Sequence, residues 1–146
     1  MANAVSEGKT NATIEEMAFA LSNVLNAPTV EGRRDFLVYR DLGVAKASNG
    51  RMSAQTMTFI QGKVPLTGWH YHVCESQLCY VMKGSIDLEF EDGVKRRMKE
   101  GDVFYIPGGM KHNETALSDD YMYMEITVPA NLGTVACEAP DFFAKK

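Results

Sequence analysis

The chain has 146 residues, of which 45% are hydrophobic and 23% are charged, as in one ordinary globular domain. Its formal net charge of −4 predicts no basic face for nucleic acid, and its apolar runs are far too short to cross a membrane. The three cysteines are too few and odd in number for a disulfide framework. Because the N-terminus also lacks the pattern of a secretory signal, we expect a reduced, cytoplasmic protein.

The first predicted element is a helix that follows a short polar tail. Thr13 and Glu16 match the Ser/Thr-x-x-Glu capping box that often begins a helix. Apolar residues then recur at spacings of three to four: Ile14, Met17, Leu21 and either Val24 or Leu25. Asn26-Ala27-Pro28 predicts the end of this helix. Residues 1–30 are therefore interpreted as an N-terminal tail and helix.

From about residue 35 the sequence changes to short β segments separated by turns. The predicted strands lie at 36–39, 52–60, 78–82, 86–90, 94–98, 103–106 and 121–128. Asp92-Gly93 between two such segments is a strong hairpin signal. Many short strands with few helical patterns predict an all-β sandwich or barrel over residues 35–129. The remaining residues, 130–146, are expected to form a C-terminal arm of the same single domain.

The histidines are the strongest chemical signal in the chain. There are three of them, and two form the segment His70-Tyr71-His72. Side chains alternate between the two faces of a strand, so both imidazoles point to the same side. Gln77 follows five residues after His72, and Gly84 follows seven residues after Gln77. A later group leads to the third histidine: Gly101, Pro107, Gly109 and His112.

Together these two groups of residues resemble the two signature motifs of the cupin superfamily. The resemblance extends over residues 51–129. It implies a double-stranded β-helix, which is a jelly-roll barrel of antiparallel strands. It also implies a metal ion held at one end of the barrel by His70, His72 and His112. Three adjacent imidazole ligands would leave further coordination positions open to water, substrate or dioxygen.

The sequence departs from the motifs at three positions. Gln77 stands where the first motif has a glutamate, Ala116 stands where the second has an asparagine, and the glycine expected six residues before His70 is absent. Imidazole suits zinc, copper, iron and nickel, whereas a carboxamide oxygen is a harder and weaker donor. We expect one divalent transition metal, with Fe(II) favoured and Mn, Ni or Zn as alternatives. Gln77 is either a fourth ligand, a partner of metal-bound water or a polar wall residue.

Other residues offer competing or additional chemistry. Cys74 and Cys79 could complete a His2Cys2 zinc site with the histidine pair, although their spacing is unlike that of a zinc knuckle. On the last predicted strand, the methionine face (Met122, Met124 and Ile126) is expected to line the barrel. The opposite face carries Tyr123 and Glu125, which are the candidates for a general acid or base.

The leading functional hypothesis is a metal-dependent oxygenase of the small, single-domain cupin type. A non-catalytic metal-assisted binding or sensing domain, or a cupin isomerase or decarboxylase, is the alternative. With neutral ligands only, a divalent metal keeps its full charge, so the expected partner is a small anionic organic molecule. Outward-facing aromatic residues, suggested to be Phe36, Tyr71 and Tyr80, predict a homodimer.

Overall fold

The computed structural model describes residues 16–144, which form two antiparallel β-sheets packed face to face. The six strands of the first sheet, in spatial order, are β1 (Thr29–Val30), β2 (Leu37–Asp41), β3 (Ser53–Phe59), β10 (Met122–Val128), β5 (Ser76–Lys83) and β8 (Val103–Pro107). The five strands of the second are β11 (Gly133–Ala136), β4 (His70–Val73), β9 (His112–Leu117), β6 (Ser85–Phe90) and β7 (Lys95–Lys99). This architecture confirms the predicted all-β double-stranded β-helix.

Two short helices complete the described fold, α1 (Val44–Ala47) and α2 (Asp141–Ala144). Within residues 16–144, no helix has the length and apolar character needed to cross a membrane.

The β6–β7 hairpin illustrates how the sequence pattern specifies a strand pair. Leu88 and Phe90 on β6 are buried, whereas Asp87 faces outward and binds Arg97 of β7 through two hydrogen bonds. This alternation places every second residue in the core, as expected for a half-buried strand. The turn contains Gly93 with a φ of 81°, a conformation that favours glycine. The hairpin predicted from the Asp-Gly pair is therefore confirmed.

The hydrophobic core lies between the two sheets. Its largest cluster combines residues of both sheets: Phe36, Leu37, Tyr39, Met57, Phe59, Val81, Ile86, Leu88, Phe90, Met98, Ile106 and Tyr121. The three histidines belong to the second sheet, while Gln77 and Glu125 belong to the first. All five of these polar side chains are buried, so the two sheets bring them together inside the barrel.

The predicted N-terminal helix is wrong over the part of it that the structure describes. Residues 17–23 have no helical conformation, and Glu16 lies in a single turn; residues 1–15 lie outside the described part of the chain. The segment runs beside α1, where the Ala18 amide donates to the Ala47 carbonyl and the Ser22 hydroxyl donates to the Leu42 carbonyl. These tertiary hydrogen bonds replace the local ones that the capping box and apolar spacing favour.

The interpretation of β10 is also wrong about which face lines the barrel. Tyr121 and Glu125 are buried and face inward, whereas Met124 packs on the outer face of the sheet against Ala27 and Leu42. The methionine face is covered by Ala27, which precedes β1, and by Leu42, which follows β2. Sequence alternation identified the two faces correctly but did not indicate which one was covered.

The C-terminal segment contributes a strand as well as a surface arm. Strand β11 pairs with β4 over four residues, from Gly133 opposite Val73 to Ala136 opposite His70. Beyond it, the ring of Phe143 packs on Trp69 at a centroid distance of 5.0 Å. The second sheet thus extends past residue 129, and β11 lies directly beside the strand that carries two histidines.

Candidate metal centre

His70, His72 and His112 converge at one point between the sheets. His70 and His72 alternate with Tyr71 on β4 and so share a face, and His112 begins β9 directly opposite His70. Each is at most 4% exposed. One ring nitrogen from each lies within 4.8 Å of the other two, so the three side chains could hold one metal ion. The structure thus brings together the three histidines that the cupin resemblance implied.

The hydrogen bonds of the imidazoles determine which nitrogen is available. Nδ1 of His70 lies 2.9 Å from the Gly68 carbonyl oxygen, and Nδ1 of His112 lies 2.9 Å from that of Met110. A carbonyl only accepts, so both rings donate from Nδ1 and keep a lone pair on Nε2. Nδ1 of His72 lies 3.0 Å from the Thr134 hydroxyl of β11. Such partners orient metal-binding histidines and increase their basicity.

Two of the imidazoles are held in the neutral form that binds metals. Burial lowers the pKa of His72 to about 3, and the charge of Arg33 acts in the same direction. Burial also lowers the pKa of His70, against the opposing effect of the Glu114 carboxylate. A metal ion would therefore not have to displace a proton from either ring.

Gln77 offers a fourth donor atom from the opposite sheet. Its side chain is buried, and its Nε2 donates to Oε2 of Glu125 at 2.7 Å. Its Oε1 is buried and has no hydrogen-bond partner within residues 16–144, which is uncommon for a buried amide oxygen. Three imidazole nitrogens and one carboxamide oxygen fit a divalent transition metal. Ligation by Gln77 remains a prediction.

The histidines and Gln77 line a pocket with mixed walls. Apolar side chains from both sheets form much of it, among them Phe36, Leu37, Ile86, Leu88, Phe104 and Ile106. Within residues 16–144, five buried side-chain oxygens lack a hydrogen-bond partner, and four of them belong to residues that line this pocket: Tyr39, Gln77, Glu114 and Tyr121. Unpartnered polar atoms on an apolar background are the features expected of a ligand site.

Both candidate acid–base residues, Tyr123 and Glu125, line the same pocket. Burial raises the pKa of Tyr123 well above its ordinary value, so the phenol stays protonated. Glu125 accepts two hydrogen bonds of 3.0 Å from Arg33 Nη2 in addition to the one from Gln77. With its oxygens engaged in this way, Glu125 is poorly placed to take a proton from a substrate, and Tyr123 can act only as a donor.

Sequence analysis missed three charged residues of the pocket: Arg33, Arg34 and Glu114. Glu114 lies two residues after His112 on β9, and its Oε2 is 4.0 Å from Nε2 of His70. Arg34 precedes β2 and is half-buried, and its guanidinium makes no hydrogen bond or ion pair within the described part of the chain. The period of two on β9 could have identified Glu114 as a neighbour of His112. Arg34 lies in a loop, where no pattern would have identified it.

The alternative His2Cys2 site has no support in the structure. Among the described residues, the one cluster of metal-ligating side chains contains the three histidines and no cysteine. Cys79 is buried with a pKa that burial raises well above its ordinary value, and Cys74 is half-buried. Cys79 therefore serves as a small buried wall residue of the pocket.

Solved structures of other proteins share this fold. The chain resembles KdgF from Halomonas sp. with 23% identity and a TM-score of 0.61, covering 79% of this chain and 96% of KdgF. For the polyketide cyclase RemF from Streptomyces resistomycificus the identity is 16% and the TM-score 0.64, covering 88% of this chain and 94% of RemF. The structure of FeII HppE matches with 13% identity and a TM-score of 0.59, covering 75% of this chain and 60% of HppE.

No curated protein matches the chain by sequence. The family model for the cupin domain, however, matches residues 56–129, which is just over half of the chain. This range includes all three histidines, Gln77 and the motif glycines Gly84, Gly101 and Gly109. With the double-stranded β-helix and the buried histidine cluster, this match assigns the protein to a family: the chain belongs to the cupins.

Proposed function

We propose that this protein is a metal-dependent oxygenase that acts on a small anionic organic substrate. The observation that carries the proposal is the convergence of three buried histidines, each tethered at Nδ1, at a pocket that contains unpartnered polar groups. His70, His72 and His112 would hold the metal, with Gln77 as a fourth donor. A bound Fe(II) would supply Lewis acidity and the one-electron chemistry that dioxygen requires.

The pocket has the charge expected for an anionic substrate. Arg34 lines it with a guanidinium that has no hydrogen-bond or ion-pair partner among residues 16–144, and this group can hold a carboxylate or phenolate through two parallel hydrogen bonds. Burial raises the pKa of Tyr121 well above, and that of Tyr39 above, the ordinary value for a phenol. Both hydroxyls therefore stay protonated and can donate to an oxyanion, while the apolar walls exclude water from the substrate.

Glu114 is the pocket residue best placed to accept a proton. Its Oε2 is buried, has no hydrogen-bond partner among the described residues and lies beside His70. Unlike Glu125, it makes no ion pair with an arginine in the described part of the chain. We propose that Glu114 accepts the proton that a substrate hydroxyl or acidic carbon loses, in place of Glu125 and Tyr123.

Iron is proposed as the physiological metal, with Mn, Ni or Zn as alternatives. The neighbour FeII HppE is a structure with iron in the ferrous state. An all-neutral donor set of imidazole and carboxamide is compatible with this ion. Another neighbour, RemF, is a polyketide cyclase, so a decisive experiment must separate oxidation from reactions that do not consume dioxygen.

The test is dioxygen uptake by protein reconstituted with Fe(II) under anaerobic conditions. A panel of small carboxylates, phenolates and enolisable acids is added, and oxygen consumption and product formation are measured together. Uptake should depend on both Fe(II) and one substrate class. The variant His112→Ala should abolish it, and Arg34→Gln should raise KM for the anionic substrate by about tenfold to a hundredfold with a smaller change in kcat, because one charge-assisted contact is lost.

Two outcomes would contradict the oxygenase proposal. Conversion that continues equally well without dioxygen would indicate an isomerase, cyclase or decarboxylase. Tight binding of a panel compound with no conversion under any condition would indicate a binding or sensing domain. Fe(II) mixed with His112→Ala protein is the matched control for uncatalysed oxidation of the metal.

We further propose that the protein forms a homodimer through the outer face of β5 and β8. Leu78, Tyr80, Val103 and Tyr105 face each other across these two strands and are 39–61% exposed, as in an apolar contact surface. Of the residues first suggested, Tyr80 belongs to this face, Tyr71 is half-buried and Phe36 is buried in the core. Sedimentation should give a dimer mass, and Tyr105→Lys should give a monomer; a monomeric parent protein would refute the proposal.

The three cysteines are all free, which is compatible with the reducing cytoplasm as the site of action.

A further inference from the structure

Arg33, Glu125 and Gln77 form a continuous chain of hydrogen bonds behind the metal centre. Nη2 of Arg33 lies 3.0 Å from both carboxylate oxygens of Glu125, and Nε2 of Gln77 lies 2.7 Å from Oε2 of the same carboxylate. Gln77 and Glu125 are almost completely buried, and the side chain of Arg33 is 26% exposed. The three residues come from a loop, from β10 and from β5.

The chemistry of this chain determines how the Gln77 amide is oriented. A carboxylate paired with a guanidinium has only acceptor atoms to offer. The amide must therefore present its NH2 group to Glu125, and its oxygen must point the other way. In agreement with this requirement, Oε1 of Gln77 has no hydrogen-bond partner in the part of the chain that the structure describes, and the residue lines the pocket that the three histidines share.

We propose that Glu125, anchored by Arg33, is a positioning residue that fixes Gln77 with its carbonyl oxygen toward the metal. This inference rests on the proposed function, because it assumes that the histidines bind a metal ion. It assigns no ligand role to Glu125 or Arg33. Burying an ion pair is seldom a way to gain stability, since desolvation offsets most of the attraction, so an orienting role accounts for the presence of this pair in the barrel interior.

The same geometry explains why the chain carries glutamine where the cupin motif has glutamate. A carboxylate at position 77 would face that of Glu125 at a distance where glutamine now donates a hydrogen bond of 2.7 Å. Two like charges at this separation repel strongly in a buried site. Gln77 and Glu125 are therefore a matched pair, and the neutral amide is the side chain that satisfies Glu125 and still offers the metal an oxygen.

The experiment measures Co(II) affinity by competition with a chromophoric chelator, using metal-free full-length protein. The variants are Glu125→Gln, Gln77→Leu and the double variant. A glutamine at position 125 has both donor and acceptor atoms, so it no longer selects one orientation of the Gln77 amide. Glu125→Gln should weaken Co(II) binding by about tenfold to a hundredfold, as is usual when a group that orients a metal ligand is lost.

The double variant distinguishes positioning from a general electrostatic effect. Because Glu125 acts through Gln77, the double variant should bind Co(II) no more weakly than Gln77→Leu alone. The proposal would be overturned if Glu125→Gln weakened Co(II) binding by the same factor in the Gln77→Leu variant as in the parent protein. It would also be overturned if Glu125→Gln alone left the Co(II) affinity unchanged. Asp87→Asn, which breaks an acid–arginine pair on the surface, is the matched control and should bind Co(II) normally.

Two further measurements keep the test decisive. If Glu125→Gln does not fold, Arg33→Gln removes the anchor from the other side of the carboxylate and should weaken Co(II) binding in the same direction; unchanged affinity would overturn the proposal. If the parent protein binds Co(II) no better than His112→Ala, the metal site itself fails, and the proposed function fails with it. Normal Co(II) binding with no effect of either variant overturns the positioning role alone.

Discussion

Replacing Gln77 with glutamate should destabilise the metal-free protein in a strongly pH-dependent way. The substitution exchanges a hydrogen bond of 2.7 Å to Glu125 for two carboxylate oxygens in contact. At an effective dielectric constant of about 20, two unit charges this close repel by about 6 kcal/mol. Protonating one of the two carboxylates costs less free energy than this repulsion. For a glutamate with an ordinary pKa near 4.3, protonation costs about 4 kcal/mol at pH 7 and about 1 kcal/mol at pH 5. The carboxylate pair should therefore share a proton.

The assay is urea unfolding of metal-free Gln77→Glu and parent protein at both pH values, followed by circular dichroism. The free energy of unfolding of the variant should fall below that of the parent by about 4 kcal/mol at pH 7, and by about 1 kcal/mol at pH 5. Gln61→Glu makes the same chemical change on the exposed surface and should change stability by less than about 0.5 kcal/mol at either pH.

Equal stability of Gln77→Glu and parent protein at pH 7 would refute this reasoning. It would mean that the side chain at position 77 does not contact an ionised Glu125. A loss of stability that is the same at both pH values would also refute it, because repulsion between carboxylates must weaken when the pair binds a proton.

Three further predictions follow from the site and its turns. Burial lowers the pKa of His72 from 6.5 to about 3, so between these pH values the unfolded state binds a proton that the folded state does not. The free energy of unfolding of the metal-free protein should therefore fall by up to about 1.4 kcal/mol per pH unit as the pH drops from about 6.5 toward 3. The variant His72→Gln should reduce this slope. Thr134→Val removes the hydroxyl at Nδ1 of His72 and should weaken Co(II) binding about tenfold to a hundredfold, while Thr134→Ser should retain it. Gly84→Ala places a Cβ 3.0 Å from the backbone of Tyr121 at a φ of +72°, so it should lower the free energy of unfolding in urea by at least about 2 kcal/mol. In Gly101→Ala the new Cβ meets open space at a φ of +91°, so the loss should be about 1 kcal/mol.

Local sequence signals predicted the parts of the molecule that depend on local geometry. The His-Tyr-His segment placed two imidazoles on one face because the strand period requires it. The Asp-Gly pair predicted the β6–β7 hairpin because its turn requires a positive φ at Gly93. The third histidine was predicted from the spacing of the motif that ends at His112, because this spacing matches the cupin family, whose barrel brings the two motifs together. The fold and the histidine cluster were accessible from sequence for these reasons.

The errors and omissions concern contacts between distant residues. The N-terminal segment has a good helical pattern, but the Ala18 amide donates a hydrogen bond to the Ala47 carbonyl instead. No local sequence signal predicts this tertiary hydrogen bond. Glu125 and Arg33 are 92 residues apart, so the periodicity of a strand or helix cannot predict that they form a pair. The inward face of β10 could not be chosen from hydropathy, because Arg33 makes a buried glutamate acceptable and Ala27 covers the opposite face.

The pairing of His72 with Thr134 of β11, 62 residues later in the chain, has a consequence for biosynthesis. A ribosome exposes His72, Gln77 and His112 well before it releases the strand that orients His72. The site can therefore reach its final geometry only after the C-terminal strand has docked, a long-range step of the kind that is slow in β-proteins. Metal captured before β11 docks would meet a His72 ring that lacks its orienting partner, whereas metal captured afterwards would meet a fixed site. Selectivity for the metal would thus depend on the docking of β11.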